Sequence, residues 1–255
     1  MSRRPDKKPD QCSDPDAALT LLQRGVRTLG LHLTPAQIDQ FLAYLDLLLK
    51  WNRKMNLTAL RTPAEIISRH FLDSLLLLPH LPEKGRVLDI GSGAGFPGLP
   101  LKIARPGLQI DLAEATAKKA SFLKEAVRRL QLSGVNVFPI FLGKEPLPLK
   151  PAEPWDVFLS RGVNIEVVLR ASTPYWGPAG RLLLMKGPEW REEIKRLAPL
   201  LTGLQLYAEK AIPLMNPLSK RERLLVVLAG TGPVGQLGDA HLAPAGGAAP
   251  EGIRE

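Results

Sequence analysis

Apolar residues in the first third of the chain recur at helical spacing, whereas further on they gather in short runs separated by turn residues. Asp16 stands where an N-cap opens a helix to about Leu29, and Gly30 closes it. Thr34-Pro35 repeats the start signal, and Ile38, Phe41, Leu42, Leu45, Leu48 and Leu49 then mark one buried face. The stretch Lys50 to Leu57 breaks that pattern with polar and basic residues around Trp51. Thr62-Pro63-Ala64-Glu65 gives a further capped start, Glu65 closing a capping box, for a helix that carries Arg69 to Leu75 and ends near Pro79.

From Val87 onward the pattern alternates. Strands are expected at Val87–Ile90, Leu108–Ala113, Val135–Phe141, Trp155–Ser160 and Gly180–Lys186, with helices from about Thr116 to Leu132, over 164–176 and over 189–201 between or after them. Two last strands, near Leu204–Ala208 and Arg223–Leu228, read as a closing hairpin. Such alternation predicts an α/β fold, a mostly parallel seven-stranded sheet covered on both faces. The organisation expected is a disordered tail over 1–16, a helical region over 17–81, a sheet domain over 82–230 and a second disordered tail over 231–255.

Composition narrows the setting. No apolar run approaches eighteen residues and the N-terminus is polar, so neither a membrane span nor a secretory signal is read, and a soluble cytoplasmic monomer is expected. The single cysteine, Cys12, and four scattered histidines offer neither a disulfide framework nor metal-ligand spacing, so no metal is expected. Residues 1–16 carry four basic and four acidic side chains and 231–255 carry one and three, so the formal +9 becomes +11 over 17–230. A basic folded part favours a polyanionic partner, RNA ahead of a small acidic substrate.

The candidate chemistry centres on Arg86 to Pro100, where a strand runs straight into glycines at 91, 93, 95 and 98. Glycine permits positive φ and lets a ligand approach main-chain N–H groups. Read from Gly93 the stretch is G-x-G-x-x-G, the dinucleotide fingerprint. Read from Asp89 it is D-x-G-x-G-x-G, with the acid at the strand end, a frame that suits S-adenosylmethionine, which has no pyrophosphate to place. A methyltransferase is favoured; a nicotinamide-dependent oxidoreductase and a turn with no ligand stay open.

Ligands of open parallel sheets bind beyond the carboxyl ends of the strands. That singles out Gly91 to Phe96, Glu114 (whose carboxylate can accept both ribose hydroxyls of an adenosine), Lys144 and Glu145 after the third strand, Arg161 and Lys186. Lys118 and Lys119 are candidates for RNA phosphates, or a solvated helix face. Trp51, Asn52, Arg53, Lys54 and Asn56 form either a stacking and phosphate-binding group or a basic helix end. His70 and Asp73 share a helix face and either shape the site entrance or pair with one another.

Taken together, Trp51-Asn-Arg-Lys-Met-Asn-Leu-Thr58, Arg69-His-Phe-Leu-Asp-Ser-Leu75, Leu88 to Pro100, Lys118-Lys-Ala-Ser-Phe-Leu123, Ser160-Arg161 and Leu184-Met-Lys-Gly187 resemble the bacterial 16S ribosomal RNA guanine-N7 methyltransferases, the RsmG or glucose-inhibited division protein B family. The resemblance runs from about Leu33 to Leu228 and is most specific at Phe96-Pro97-Gly98. It implies a Rossmann-like class I methyltransferase fold with an N-terminal helical extension. It also implies methyl transfer from S-adenosylmethionine to N7 of one guanine in 16S ribosomal RNA, free or in a small-subunit precursor. On matching positions it places Gly91 and Phe96 in the cofactor site, Lys144 and Glu145 by the adenine, and Arg161 near donor and acceptor; Asp89, Gly93, Gly95 and Glu114 are the cofactor-site candidates read from the residues themselves. Arg53, Lys54, His70, Lys118, Lys119 and Arg223 are the substrate RNA candidates. The chain departs from the family pattern at Gly143-Lys-Glu-Pro146 and Ser160-Arg-Gly162, and carries Glu114 where Asp is commoner.

Guanine N7 has a lone pair and no proton to lose, so no general base is expected and catalysis is read as positioning by Arg161 and Lys186. Two rivals stand beside this reading: an RNA methyltransferase with another target base, and a non-catalytic RNA-binding ribosome-assembly protein.

Overall fold

A computed structural model of the chain describes residues 15–140, 154–187, 189–219 and 221–230. Helix α1 (Pro15–Thr28) ends at Leu29 and Gly30, the latter at φ 70°. Helix α2 (Pro35–Met55) starts on Thr34, whose hydroxyl accepts from the Gln37 N–H while its own N–H donates to the Gln37 side chain at 2.8 Å.

The helix does not stop where the apolar pattern stops. Asn52 takes a core position, its amide donating to the Leu60 carbonyl and accepting from the Thr58 N–H, each at 2.9 Å. A satisfied polar side chain can be buried at little cost, and apolar periodicity cannot signal it. Asn56, left-handed at φ 49°, ends the helix.

The segment after Thr62 is broken up: α3 (Pro63–Ile66), a π-helical turn over Ile67–Phe71, α4 (Leu72–Leu75) and a single 3-10 turn at Leu78–His80. Wide π turns are rare, and those that occur are frequently at functional sites. This one carries Arg69 and His70.

Beyond it lie β1 (Gly85–Ile90), α5 (Gly98–Ala104), β2 (Leu108–Ala113), α6 (Ala117–Arg129), β3 (Val135–Phe138), β4 (Trp155–Arg161), α7 (Ile165–Ser172), β5 (Trp176–Lys186), α8 (Trp190–Arg196), α9 (Ala198–Gly203), β6 (Leu206–Asn216) and β7 (Arg221–Gly230). The sheet order is β3-β2-β1-β4-β5-β7-β6. The first five strands are parallel, and β7 pairs antiparallel with both β5 and β6.

Prolines account for most differences from the expected boundaries. Strand β3 stops before Pro139; the expected 164–176 helix ends at Ser172, where Pro174 takes the start of a 3-10 turn and Trp176 passes into β5; the expected 189–201 helix is split so that Pro199 falls in the first turn of α9. Strand β6 runs on through Pro213, which an edge strand tolerates.

One buried cluster joins Leu22, Phe41, Tyr44 and Phe71 of the helical region to Leu112, Leu159 and Val227 of the sheet and Phe122 of α6. The 17–81 helices therefore share a core with one face of the sheet rather than forming a unit of their own. Leu88, Phe158, Leu184 and Val226 face the other side, under α7 to α9. The expected tails lie outside the described residues, except that Pro15 and Asp16 belong to α1. Among the described residues no helix is long and apolar enough to cross a membrane.

Candidate functional site

Strand order reverses between β1 and β4, and above their carboxyl ends lies a cavity of about 400 Å³. Ile90, Gly91 and Gly93 line it from β1 and its turn, Ala113, Glu114 and Ala115 from β2, and Arg161, Gly162 and Val163 from β4, with Lys119 and Ile140 at its edge. A volume of this order suits a nucleoside-sized ligand.

The turn is held from several sides. The N–H groups of Gly91 and Ser92 both donate to the Ala113 carbonyl, at 2.9 and 3.1 Å. Gly91, Gly93 and Gly95 have φ of 72°, 59° and 94°, and a Cβ on Gly91 would sit 2.3 Å from Val163 Cγ2. Glu114 accepts from the Gly93 N–H at one oxygen and the Thr116 N–H at the other, each at 2.8 Å. A carboxylate offers about four acceptor positions. Both oxygens thus keep capacity for hydroxyl donors, while the carboxylate is fixed at the cavity wall.

Asp89 lies beneath this turn rather than in the cavity wall. It is fully buried, its Oδ2 accepts from the Gly98 N–H at 2.9 Å, and its Oδ1 has no partner. Burial pushes its carboxyl up to about 7, against the lowering effect of the Gly98 hydrogen bond. Phe96 is buried and stacks on His70 with ring centroids 4.2 Å apart, and Tyr44 donates to the Ala94 carbonyl from below.

A polar cluster adjoins the cavity on the side of the N-terminal helices. Asp73, fully buried, accepts from Asn216 Nδ2 at 2.6 Å and from Arg223 Nε at 3.1 Å, and lies 3.5 Å from Arg161 Nη2. Arg161 also donates to the Arg69 carbonyl in the π turn at 2.8 Å. His70 Nε2 meets the Thr58 hydroxyl at 2.7 Å. Burial, then the charges of Arg161 and Arg69, lower its pKa to about 3, so the ring is neutral at pH 7. Sequence reading isolated Arg69, His70 and Asp73 as one motif but not Thr58 or Asn216 as their partners. Asn216 is 143 residues from Asp73, and nothing in its local pattern marks the contact.

The other expected site residues fall elsewhere. Lys186 points to the opposite face of the sheet from Arg161, the face that carries Leu182 and Leu184, and is paired with Glu193 of α8 at 2.8 Å. Arg53, Lys54 and Lys118 are exposed; they sit on α2 and α6, which meet where Trp51 packs edge-on against Phe122 at 5.6 Å. Asn56 accepts from Arg61 at 2.7 Å. Lys144 and Glu145 lie outside the described residues. Among the described residues no three His, Cys, Asp or Glu side chains gather as metal ligands.

Comparison with known proteins gives a consistent result. Residues 37–221 match the family described as rRNA small subunit methyltransferase G. The chain is 41% identical over 209 residues to the ribosomal RNA small subunit methyltransferase G of Desulfotalea psychrophila, covering 81% of this chain and 96% of that one. It is 38% identical over 208 residues to the protein of the same name from Methylobacillus flagellatus, covering 81% and 96%. Among solved structures, the O-methyltransferase of a trans-AT PKS multienzyme from Brevibacillus brevis, in complex with S-adenosyl-L-homocysteine, superposes with a TM-score of 0.50 at 14% identity over 72% of this chain and 79% of that one, a likeness of fold. By sequence match over most of its length, the chain belongs to the rRNA small subunit methyltransferase G family.

Proposed function

We propose that the protein transfers a methyl group from S-adenosylmethionine to N7 of a guanine in 16S ribosomal RNA, as a soluble cytoplasmic enzyme. The observation that carries the reading is that the glycine turn, Glu114 and Arg161 face one cavity at the strand-order switch of a family member. The residues fit the cofactor: a turn whose positive-φ glycines put no Cβ between backbone and cavity, and a clamped carboxylate with free acceptor positions for two ribose hydroxyls. Bound there, S-adenosylmethionine supplies an electrophilic methyl on a sulfonium.

The protein's part is positional. Arg161, which lines the cavity and is held by the Arg69 carbonyl of the π turn, places the acceptor base. N7 uses its own lone pair, so no side chain removes a proton. Arg53, Lys54, Lys118 and Lys119, on the α2–α6 side, hold the RNA backbone, and the salt dependence of binding follows from such contacts. Lys186, tied to Glu193, steadies the end of β5.

The test is incubation of the protein and labelled S-adenosylmethionine with unmethylated small-subunit rRNA, naked and as particles, followed by mapping. Label at N7 of a single guanine is expected. Label on another base or position would overturn the assignment of N7.

A further inference from the structure

The charges around Asp73 do not balance. Arg161 and Arg223 both lie against this one buried carboxylate. The third guanidinium, Arg69, has Glu65 only at 3.8 Å, with the Glu65 side chain 43% exposed. Both oxygens of Asp73 are already used, Oδ1 by Asn216 and Oδ2 by the two arginines. Yet Arg69 Nε and Arg161 Nη1 are fully buried with no acceptor, and His70 Nδ1 beside them has no hydrogen bond either. Buried guanidinium N–H groups are rarely left unpaired, because their desolvation is uncompensated. Two largely buried guanidinium groups, Arg161 and Arg223, against one carboxylate raise that cost further.

Arg161 connects this cluster to the cavity it also lines. We propose that Arg69, Arg161 and Arg223 form an oxyanion subsite, completed by a carboxylate or phosphate oxygen of a bound molecule entering from the cavity. Asp73 is the positioning residue of this subsite: it holds two like charges side by side and removes one of three, so the chain folds with the subsite empty. Arginine suits the task, since its planar fork presents paired N–H donors to an oxyanion. Two molecules could bring the oxygen, the methionyl carboxylate of S-adenosylmethionine and the phosphodiester next to the acceptor base. Naming them rests on the function proposed above; the subsite itself does not.

Arg69→Gln is the informative variant, because it removes a donor without exposing Asp73. Calorimetry of wild type and variant with S-adenosylmethionine and with its decarboxylated analogue forms one arm. Binding of unmethylated small-subunit rRNA over a range of salt forms the other. If the carboxylate occupies the subsite, wild type binds the decarboxylated analogue about tenfold or more weaker, and Arg69→Gln abolishes the preference. If the phosphodiester does, the variant binds both small molecules as wild type does, while its RNA affinity falls about tenfold and the salt slope drops by about one.

Either result supports the subsite. Wild-type affinities for all three ligands in Arg69→Gln, and in an Arg161→Gln protein that melts cooperatively, would overturn it. Should wild type bind no S-adenosylmethionine, the cofactor reading fails separately and inorganic phosphate becomes the probe. A phosphate-dependent rise in melting temperature that Arg69→Gln lacks then upholds the subsite, and no rise overturns it.

Discussion

Two carboxylates of this protein are fully buried within reach of the same cavity, and they are built in opposite ways. Asp89 belongs to a local structure: strand end, turn and the first turn of α5 lie within ten residues, and its partner is the Gly98 N–H. Asp73 belongs to a global one, held by Asn216 and Arg223 from the last hairpin and by Arg161 from β4. The first has a main-chain N–H as its hydrogen-bond partner and burial makes it resist ionisation; the second lies against two guanidinium groups. Burial alone therefore does not tell what a carboxylate contributes, and its neighbours' charge does.

Substitution should separate the two most clearly. Asp73→Asn leaves Arg161 and Arg223 facing a neutral amide, and loss of a buried partner of this kind costs about 3–5 kcal/mol, read as a fall in the denaturant midpoint. Asp89→Asn keeps an acceptor for Gly98 and should cost far less at pH 7. A loss at Asp89→Asn equal to that at Asp73→Asn would erase the distinction.

The same contrast explains what could be read from sequence. The glycine turn was legible because a strand-turn-helix encodes it in consecutive residues, and a mostly parallel sheet with a closing hairpin followed from the alternation of elements; that Asp89 lies beneath the turn and not in the cavity wall was not. The Asp73 cluster was visible only as the motif Arg69 to Leu75; its partners at 161, 216 and 223 are brought in by the fold. The π turn at Ile67–Phe71 and the run of α2 through Asn52 were hidden because tertiary hydrogen bonds, not apolar spacing, support them. Lys186 shows the converse limit: strand-end position was read correctly, but which face of the sheet it takes depends on register.

pH dependence sharpens the comparison next. The Asp89 carboxyl is raised from an ordinary value of 3.8 to about 7, so its stabilising contribution is full below pH 3.8 and lost as pH rises through 7. The stability of wild type relative to Asp89→Asn should thus decline between about pH 4 and 7, by on the order of 4 kcal/mol, in parallel unfolding curves. A difference independent of pH would place Asp89 among ordinary ionised carboxylates.

Gly91→Ala probes the turn itself. Positive φ and the approach of Val163 together should cost about 1–3 kcal/mol of stability and weaken cofactor binding about tenfold or more, by thermal melting and calorimetry. The smallest effect belongs to Lys186→Gln: a partly exposed pair with Glu193 contributes less than about 1 kcal/mol, and S-adenosylmethionine affinity should match wild type. A large loss of cofactor affinity there would move Lys186 back toward the cavity.

The central claim, that the cavity over β1, β2 and β4 holds S-adenosylmethionine with Glu114 at its ribose, is tested most directly by titrating that compound into wild type and Glu114→Ala. One site per chain and a loss of affinity of about tenfold or more in the variant are predicted, the worth of a charged acceptor for two hydroxyls. Equal affinity in a folded Glu114→Ala protein, or no binding to wild type, would contradict it.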